Sequence, residues 1–518
     1  MNRDVTVMEK VRNKLTRGEV LGIVISLGIL LLLNFFWFEP LSQKMFLIGD
    51  DIRFYNYVKS SDNVFSLAFL NNLMGSYRPV AFFTMALLTK ICGVNGVAYL
   101  WVNLVFNYII IVSLFYVIYN LCKKNLFLPF VGSVIYLTSI YSYYGITQLF
   151  GVMEQMCVFF AIWFFYFLFC FIDTQETKYY IYSIIAFFLI LFTHERFLAL
   201  FGVYLVLNVF ILYDKDILTR FINLLKSAIP VITFVVIKVA VFHVSIFKGT
   251  GQIPIKLSVS TILKFTFQSI LSMFGFNVGP EYLFGYSFIE YSRSGKILTC
   301  LLCGAAIALF SIYIYQNIIK NSEERAIEVK RLLIFVFTEG AVIICYAVSS
   351  RIEMREIYVP YILLVIYALY CIGKIKGLSS LLLVVISTGL FVISVNNYVF
   401  QKNIDRLFFV RAMKLGKSSY TAMLQFGDMT DTKVYIENYN ELVWAMMVTE
   451  PGDIFYMHDM QVEYELFDDM ERTEERIKQD LERGNKVKVL YSKNNLEVGV
   501  LDYWDMNQDI NLQEQMIR

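Results

Sequence analysis

Apolar runs of roughly 17 to 25 residues recur along the first three quarters of this chain, each long enough to cross about 30 Å of hydrocarbon as a helix. Such a segment must satisfy its own backbone hydrogen bonds in lipid, which confines this part of the chain to a bundle of spanning helices. About eleven runs are counted by this criterion. They lie near residues 20–38, 97–121, 125–142, 151–172, 178–193, 197–213, 227–245, 296–317, 332–349, 356–373 and 378–396. With 58% hydrophobic residues and a mean hydropathy of +0.59, the chain is too oily to be a solvated globule. The net charge of +2 argues against nucleic acid as the main partner, because Lys and Arg fall in loops instead of forming one basic face. The eight cysteines lie in or beside apolar segments with no paired spacing in any soluble part, so neither a disulfide framework nor a zinc site is expected.

Charge sets the orientation. Arg3, Lys10, Arg12, Lys14 and Arg17 precede the first span, which is too long and lacks the small-residue site of a cleaved signal, so the N-terminus is expected in the cytoplasm. Counting onward puts Lys123-Lys124, Lys215, Arg220, Lys226, Lys320, Arg325, Lys330, Arg331, Lys374 and Lys376 on the same side. The outer face then holds residues 39–96, the YSYYGITQLF loop, the turn His194-Glu195-Arg196, the loop 246–295 and residues 349–356. Two amphipathic stretches, 54–70 and 78–92, suit helices lying in the interface plane. The expected fold is therefore a polytopic α-helical membrane domain over 1–396, followed by a small soluble α/β domain over 397–518 on the outer side. In the latter a helix is expected near 461–484, a strand near 486–492 and another in KVYIENY.

The chain has no Walker A sequence, no GxGxxG after a strand and no HExxH, which removes local support for nucleotide hydrolysis, dinucleotide binding and zincin chemistry. There remains a set of acids and bases gathered on one face. Asp50 and Asp51, in MFLIGDDIRFYNY, have no packing role in lipid. One of them suits a general base on an acceptor hydroxyl, and the alternative is an N-cap pair for the IRFYNYVK helix. Glu154, at the outer mouth of a span, suits orienting an acceptor or sharing a metal, or sits at the favourable end of a helix dipole. His194, Glu195 and Arg196 occupy a turn flanked by apolar residues, which is costly unless they pair or face an aqueous cavity. Arg78, Arg196, Arg351 and Arg355 lie at membrane level, where the planar guanidinium fork suits a lipid-linked phosphate; Tyr358 and Pro360 come after Arg355 at the mouth of a span. Within the spans, Lys238 and Glu339 come to similar depths, and a structural salt bridge between them is expected.

At these residues the chain resembles a family. GDD early in the first outer loop, SYRPV (Arg78, Pro79), the THER turn (Glu195) and REIYVP (Arg355, Tyr358, Pro360) look like the motifs of the GT-C glycosyltransferases, nearest the protein O-mannosyltransferase-like and serotype-converting glucosyltransferase-like branches. The resemblance covers about residues 1–396. It implies an integral membrane hexosyltransferase that takes a sugar from a polyprenyl-phosphate carrier to an acceptor hydroxyl on the outer face of the cell membrane, with inversion. The acceptor would be a cell-envelope polysaccharide, teichoic acid, lipid or protein. Asp50 or Asp51 would be the catalytic base, Arg355, Arg196 and Arg78 would hold the donor phosphate, and Glu154, Glu195, His194 and Tyr358 would position groups or hold a metal. A divalent cation, Mg2+ or Mn2+, is optional in that family. The chain departs from the family where His194 replaces the usual Lys before Glu195, and in its soluble tail. A lipid-linked sugar flippase or polysaccharide exporter is the competing reading, with charge spread through the bundle as its signature. A sensor whose tail binds a ligand is a third, and it leaves the loop acids unexplained.

Overall fold

The computed structural model describes residues 15–73, 75–122, 125–212, 215–244, 258–276, 288–347, 354–376, 389, 404–426, 431–446, 452–494, 497–505 and 508–517. Helix α1 (Arg17–Phe38) opens with a capping box in which Thr16 and Glu19 satisfy each other's backbone N–H, a polar start for an apolar span. The short helices α2 (Asp50–Lys59) and α3 (Val64–Phe69) and the longer α4 (Pro79–Cys92) come next. Then come α5 (Gly96–Leu121), capped by Asn95, α6 (Phe127–Leu137) and α7 (Ser142–Thr147). They lead into α8 (Gly151–Thr174), α9 (Thr177–Thr193), a 3-10 turn (Glu195–Leu200) and α10 (Phe201–Val206), which ends in a π turn. α11 (Ile217–Val236), α12 (Val259–Met273), α13 (Arg293–Tyr313), α14 (Arg325–Ala347) and α15 (Met354–Lys374) complete the described bundle.

Six of these are long and apolar enough to cross a membrane. The expected run 125–142 is broken between α6 and α7, and 197–213 is split into 3-10, α and π segments. Non-helical backbone at that depth needs partners from protein. At the first break serines supply them, the Tyr141 N–H donating to Ser139 Oγ (3.3 Å) and Ser142 Oγ to the Ser139 carbonyl (2.8 Å), and at the end of α7 the Asn103 amide donates to the carbonyls of Ile146 (3.0 Å) and Gln148 (2.9 Å). Of the remaining runs, α9 is short, α14 carries a charged first turn, and 378–396 lies outside the described residues apart from Gly389. Helix α8 is the hub: 72% of its most apolar window is buried, against 11% for α1, and it packs on α4, α5, α7, α9, α14 and α15. The approach of α7 depends on Gly151, where a Cβ would stand 2.3 Å from the Gly145 carbonyl oxygen.

The C-terminal part begins with α16 (Phe408–Met423) and builds a sheet from β1 (Thr432–Glu437), β2 (Glu463–Phe467), β3 (Lys486–Asn494) and β4 (Glu497–Tyr503). Between them lie α17 (Asn440–Met446), α18 (Gly452–Met457) and α19 (Met470–Glu482), and α20 (Leu512–Ile517) is the last described helix. The strand order is β2-β1-β3-β4, parallel except for the final antiparallel pair. The strands expected near 486–492 and in KVYIENY are present. The helix expected from 461 begins only at Met470, because residues 463–467 pair with β1 as an edge strand and Asp469 is the N-cap of α19. This unit grips α2. Asn56 donates to the Asp453 carbonyl (2.8 Å), Lys59 to the Tyr456 carbonyl (2.7 Å) and to Asp459 (2.7 Å), while Phe46 packs on Tyr420 and His458.

Candidate active site at one end of the bundle

The site forms around the first turn of α8, where residues from four distant parts of the chain meet. Gly49, in a left-handed conformation at φ 54, turns the chain into α2 and aims Asp51 inward. The Asp51 carboxylate accepts from the N–H groups of Leu149 and Phe150, both at 3.0 Å, and so ties the entry of α8 to α2. Burial outweighs those two hydrogen bonds and, helped by the neighbouring Asp50 charge, pushes the Asp51 carboxyl up to about 7. Asp50 is only half-buried. The two acids therefore have different surroundings, and neither caps α2, whose N-cap Gly49 makes no side-chain cap bond.

Arg78, which ends the loop before α4, is buried and lies fork to fork on Glu195, Nε to Oε2 at 2.6 Å and Nη2 to Oε1 at 2.9 Å. Its other nitrogen reaches Met153 Sδ on α8. Burial disfavours the Glu195 charge, but Arg78 outweighs it and holds the carboxyl down to about 2. Arg196 pairs with Glu154 on α8; the second Glu154 oxygen has no hydrogen-bond partner among the described residues. The turn His194-Glu195-Arg196 is thus satisfied by neighbouring helices. His194 is driven well below its usual range by burial and then by Arg196, Arg78 and Arg355, so it is neutral at pH 7.

Arg355 donates to the Tyr144 hydroxyl at 3.0 Å, with its guanidinium 5.2 Å from that ring. Tyr358 is buried, bonded to the Tyr136 hydroxyl and within the field of Glu154. A polar chain runs on from it: Tyr136 donates to Asn107 (2.7 Å), Asn107 to Asn34 (2.6 Å) and Asn34 to the Leu104 carbonyl (3.0 Å). Nothing in the residues around Tyr136 or Tyr144 marks them in the sequence. Asn34 and Asn107, polar groups inside apolar runs, are the available signal. Arg351 lies outside the described residues.

The expected Lys238–Glu339 bridge is not formed. Neither Glu339 oxygen has a hydrogen-bond partner among the described residues, and the charges acting on Lys238 are Glu195 and Arg78. Helix α11 starts at Ile217 and α14 at Arg325, earlier than the apolar runs, so the two residues differ in depth by about 10 Å instead of about 5 Å. No group of three or more His, Cys, Asp or Glu side chains able to hold a metal occurs among the described residues, and both Glu154 and Glu195 are committed to arginines.

Against α15, the helix that carries Arg355, a cavity of about 530 Å³ opens, lined by Tyr141, Ser272, Leu309, Phe335, Tyr361 and Leu364 among others. Tyr141 closes its polar end by donating to the Ser272 carbonyl at 2.5 Å. The fold defines a polytopic α-helical membrane protein with a small C-terminal α/β unit. No family model matches the chain and no curated protein matches it. Among solved structures it is similar to ArnT from Cupriavidus metallidurans in the apo state, with a TM-score of 0.48 and 10% identity over 91% of this chain and 92% of that one. It is equally similar to the same protein bound to undecaprenyl phosphate, with a TM-score of 0.48 and 10% identity over 92% and 94%.

Proposed function

We propose that this chain is an integral membrane glycosyltransferase of the GT-C type that moves a sugar from a polyprenyl-phosphate carrier to an acceptor hydroxyl on the outer face of the membrane. The observation that carries the reading is the convergence of Arg78, Arg196 and Arg355 on one end of α8, with the acidic pair at the same end and an apolar cavity against α15 suited to an isoprenoid chain. A phosphate leaving group gains charge as the glycosidic bond breaks, and prearranged guanidinium groups in a dry site stabilise that charge. The acceptor oxygen attacks the anomeric carbon, its proton passes to a carboxylate, and the bond from that carbon to the phosphate oxygen breaks, which inverts the centre. Asp50 is the base in this scheme. Asp51, with both oxygens engaged by backbone N–H groups, positions it. Arg78 and Arg196 stay rigid on their glutamates, and neutral His194 adds no charge that would compete for the phosphate.

With the N-terminus inside, this end of α8 and the C-terminal unit face outward, and the grip of that unit on α2 makes it a natural holder of the acceptor, an envelope glycan, lipid or protein. The exporter reading is less well supported, since Lys238 and Glu339 form no pair within the bundle and the other buried charges gather at the two ends of α8. The test is purified protein in nanodiscs given polyprenyl-phosphate-linked hexoses with envelope acceptors. Transfer, or slow donor hydrolysis without acceptor, supports the enzyme. Movement of the lipid-linked sugar across liposomes with no bond cleaved supports the exporter.

A further inference from the structure

The helix that carries the acidic pair cannot rely on its own sequence to hold its shape. α2 is ten residues long, and its DDIRFYNYVK run is rich in aromatic and β-branched side chains, poor helix formers in so short a segment. Its conformation, and the direction of its first turn, therefore come from what it packs on. The C-terminal unit holds it from both flanks. After the pair, Asn56 is buried and donates to the Asp453 carbonyl at 2.8 Å. Lys59 donates to the carbonyls of Tyr456 (2.7 Å) and Met457 (3.3 Å) at the end of α18, and to Asp459 (2.7 Å). Ahead of the pair, Phe46 packs on Tyr420 at 6.0 Å and on His458 at 6.4 Å, two rings that stack on each other at 3.9 Å. Gly416 of α16 lets that contact close, since a Cβ there would stand 3.0 Å from the Phe46 ring and 3.3 Å from the Ile48 side chain. Between the flanks, Ile52, Phe54 and Val58 share one apolar cluster with Leu442, Met446 and Ile454 of the unit. The entry of α8 meets the same segment from the bundle side, through the Asp51 carboxylate at Leu149 and Phe150 and through the Phe54 ring, 5.7 Å from that of Phe150. Asp50 thus stands on a turn whose place is set jointly by the bundle and the C-terminal unit.

We propose that Asn56 and Lys59 are positioning residues for the base: through them the C-terminal unit fixes the far end of α2 and so aims Asp50 at the acceptor hydroxyl. The assignment rests on the glycosyltransferase reading above. It follows from the tolerance of the chemistry, since a misplacement of about 1 Å by a change far from the reacting atoms can cost about a hundredfold in rate. The experiment uses full-length protein in nanodiscs with a polyprenyl-phosphate-linked hexose, for wild type, Asn56→Ala, Lys59→Met and Lys59→Arg. It reads kcat and donor KM, and separately the hydrogen exchange of backbone amides. Asn56→Ala and Lys59→Met each lower kcat by about ten- to a hundredfold with donor KM within about threefold. Both speed exchange over 50–59 by about tenfold and leave 151–174 and the strands of the C-terminal unit unchanged. Lys59→Arg, which keeps a donor for the same carbonyls, stays within about threefold of wild type in kcat. Unchanged exchange over 50–59 in both neutral variants overturns the hold on α2. A loosened α2 with kcat within about threefold of wild type overturns the positioning role. Wild-type protein that cleaves no donor overturns the glycosyltransferase reading and the proposal with it, an outcome told apart by exchange over 50–59, which the variants still speed.

Discussion

The two ends of α8 carry two buried charge clusters of opposite character. At the Asp173 end, Arg331 lies on Asp173 (Nε to Oδ1, 3.0 Å) and on Glu328 (2.7 Å), and Lys374 reaches Glu328 at 3.0 Å. The hydroxyls of Tyr313 and Tyr370 donate to the other Glu328 oxygen at 2.8 and 2.6 Å. Three acids there, with Glu324 on Lys374 at 3.5 Å, meet two cations, both carboxylate oxygens of Glu328 are used, and α8, α13, α14 and α15 are cross-linked. About 28 Å away along the helix, the Glu154 end gathers Arg78, Arg196 and Arg355 with Glu195, Glu154 and the acidic pair Asp50-Asp51, and one Glu154 oxygen has no partner among the described residues. A closed network, whose acceptors are all used, stabilises a bundle. At the other, open end a buried carboxylate oxygen has no partner among the described residues, so the two clusters differ in how completely their acceptors are engaged.

The largest effect expected is on chemistry at the open end. Asp50→Asn lowers transfer by about 10²- to 10⁴-fold, the usual worth of a general base, with normal insertion and donor binding; a rate within about threefold of wild type removes Asp50 from the mechanism. At the closed end Arg331→Ala costs about 3–5 kcal/mol, because it leaves buried acids uncompensated, and denaturation should show the loss with undecaprenyl phosphate affinity unchanged. Arg355→Ala should do the reverse, weakening that affinity by about tenfold with little change in stability. If the two variants behave alike, the distinction between the clusters is wrong.

Acidity sharpens the same contrast. Glu195 is held down to about 2, so its contribution is fully present above the ordinary 4.5 and is lost only as pH falls through about 2. Asp51 is raised to about 7, so its contribution is complete below 3.8 and is lost as pH rises through about 7. Unfolding temperature should therefore decline between about pH 4 and 7 in wild type and level off above that, and Asp51→Asn should flatten the decline. The smallest effect is expected for Tyr144→Phe, which removes one hydrogen bond to Arg355 and costs about 1 kcal/mol or less of donor binding.

Much of the open cluster is legible in the sequence. Arg78, Glu154, the His194-Glu195-Arg196 turn and Arg355 all stand out as polar residues at the ends of apolar runs, and all meet in space. The closed cluster is not legible as a site or a lock, because Arg331 and Lys374 read only as orientation signals and Asp173 and Glu328 give no local signal. Lys238 is misplaced by sequence for a different reason. Its depth is counted from where the apolar run begins, and the helix extends almost three turns further back.

By itself the sequence determined a membrane-embedded helical bundle and a polar C-terminal unit, since hydrocarbon admits only long apolar helices, and its charge bias predicted a common side for the ionisable loop residues. The tertiary structure alone decided which acid met which base. It separated Asp51, tied to the backbone at the start of α8, from Asp50, and it left Glu339 without Lys238 as a partner. Those outcomes depend on helix starts, on a break between α6 and α7 and on a glycine contact beneath α8, features that shift partners by whole turns without changing hydropathy.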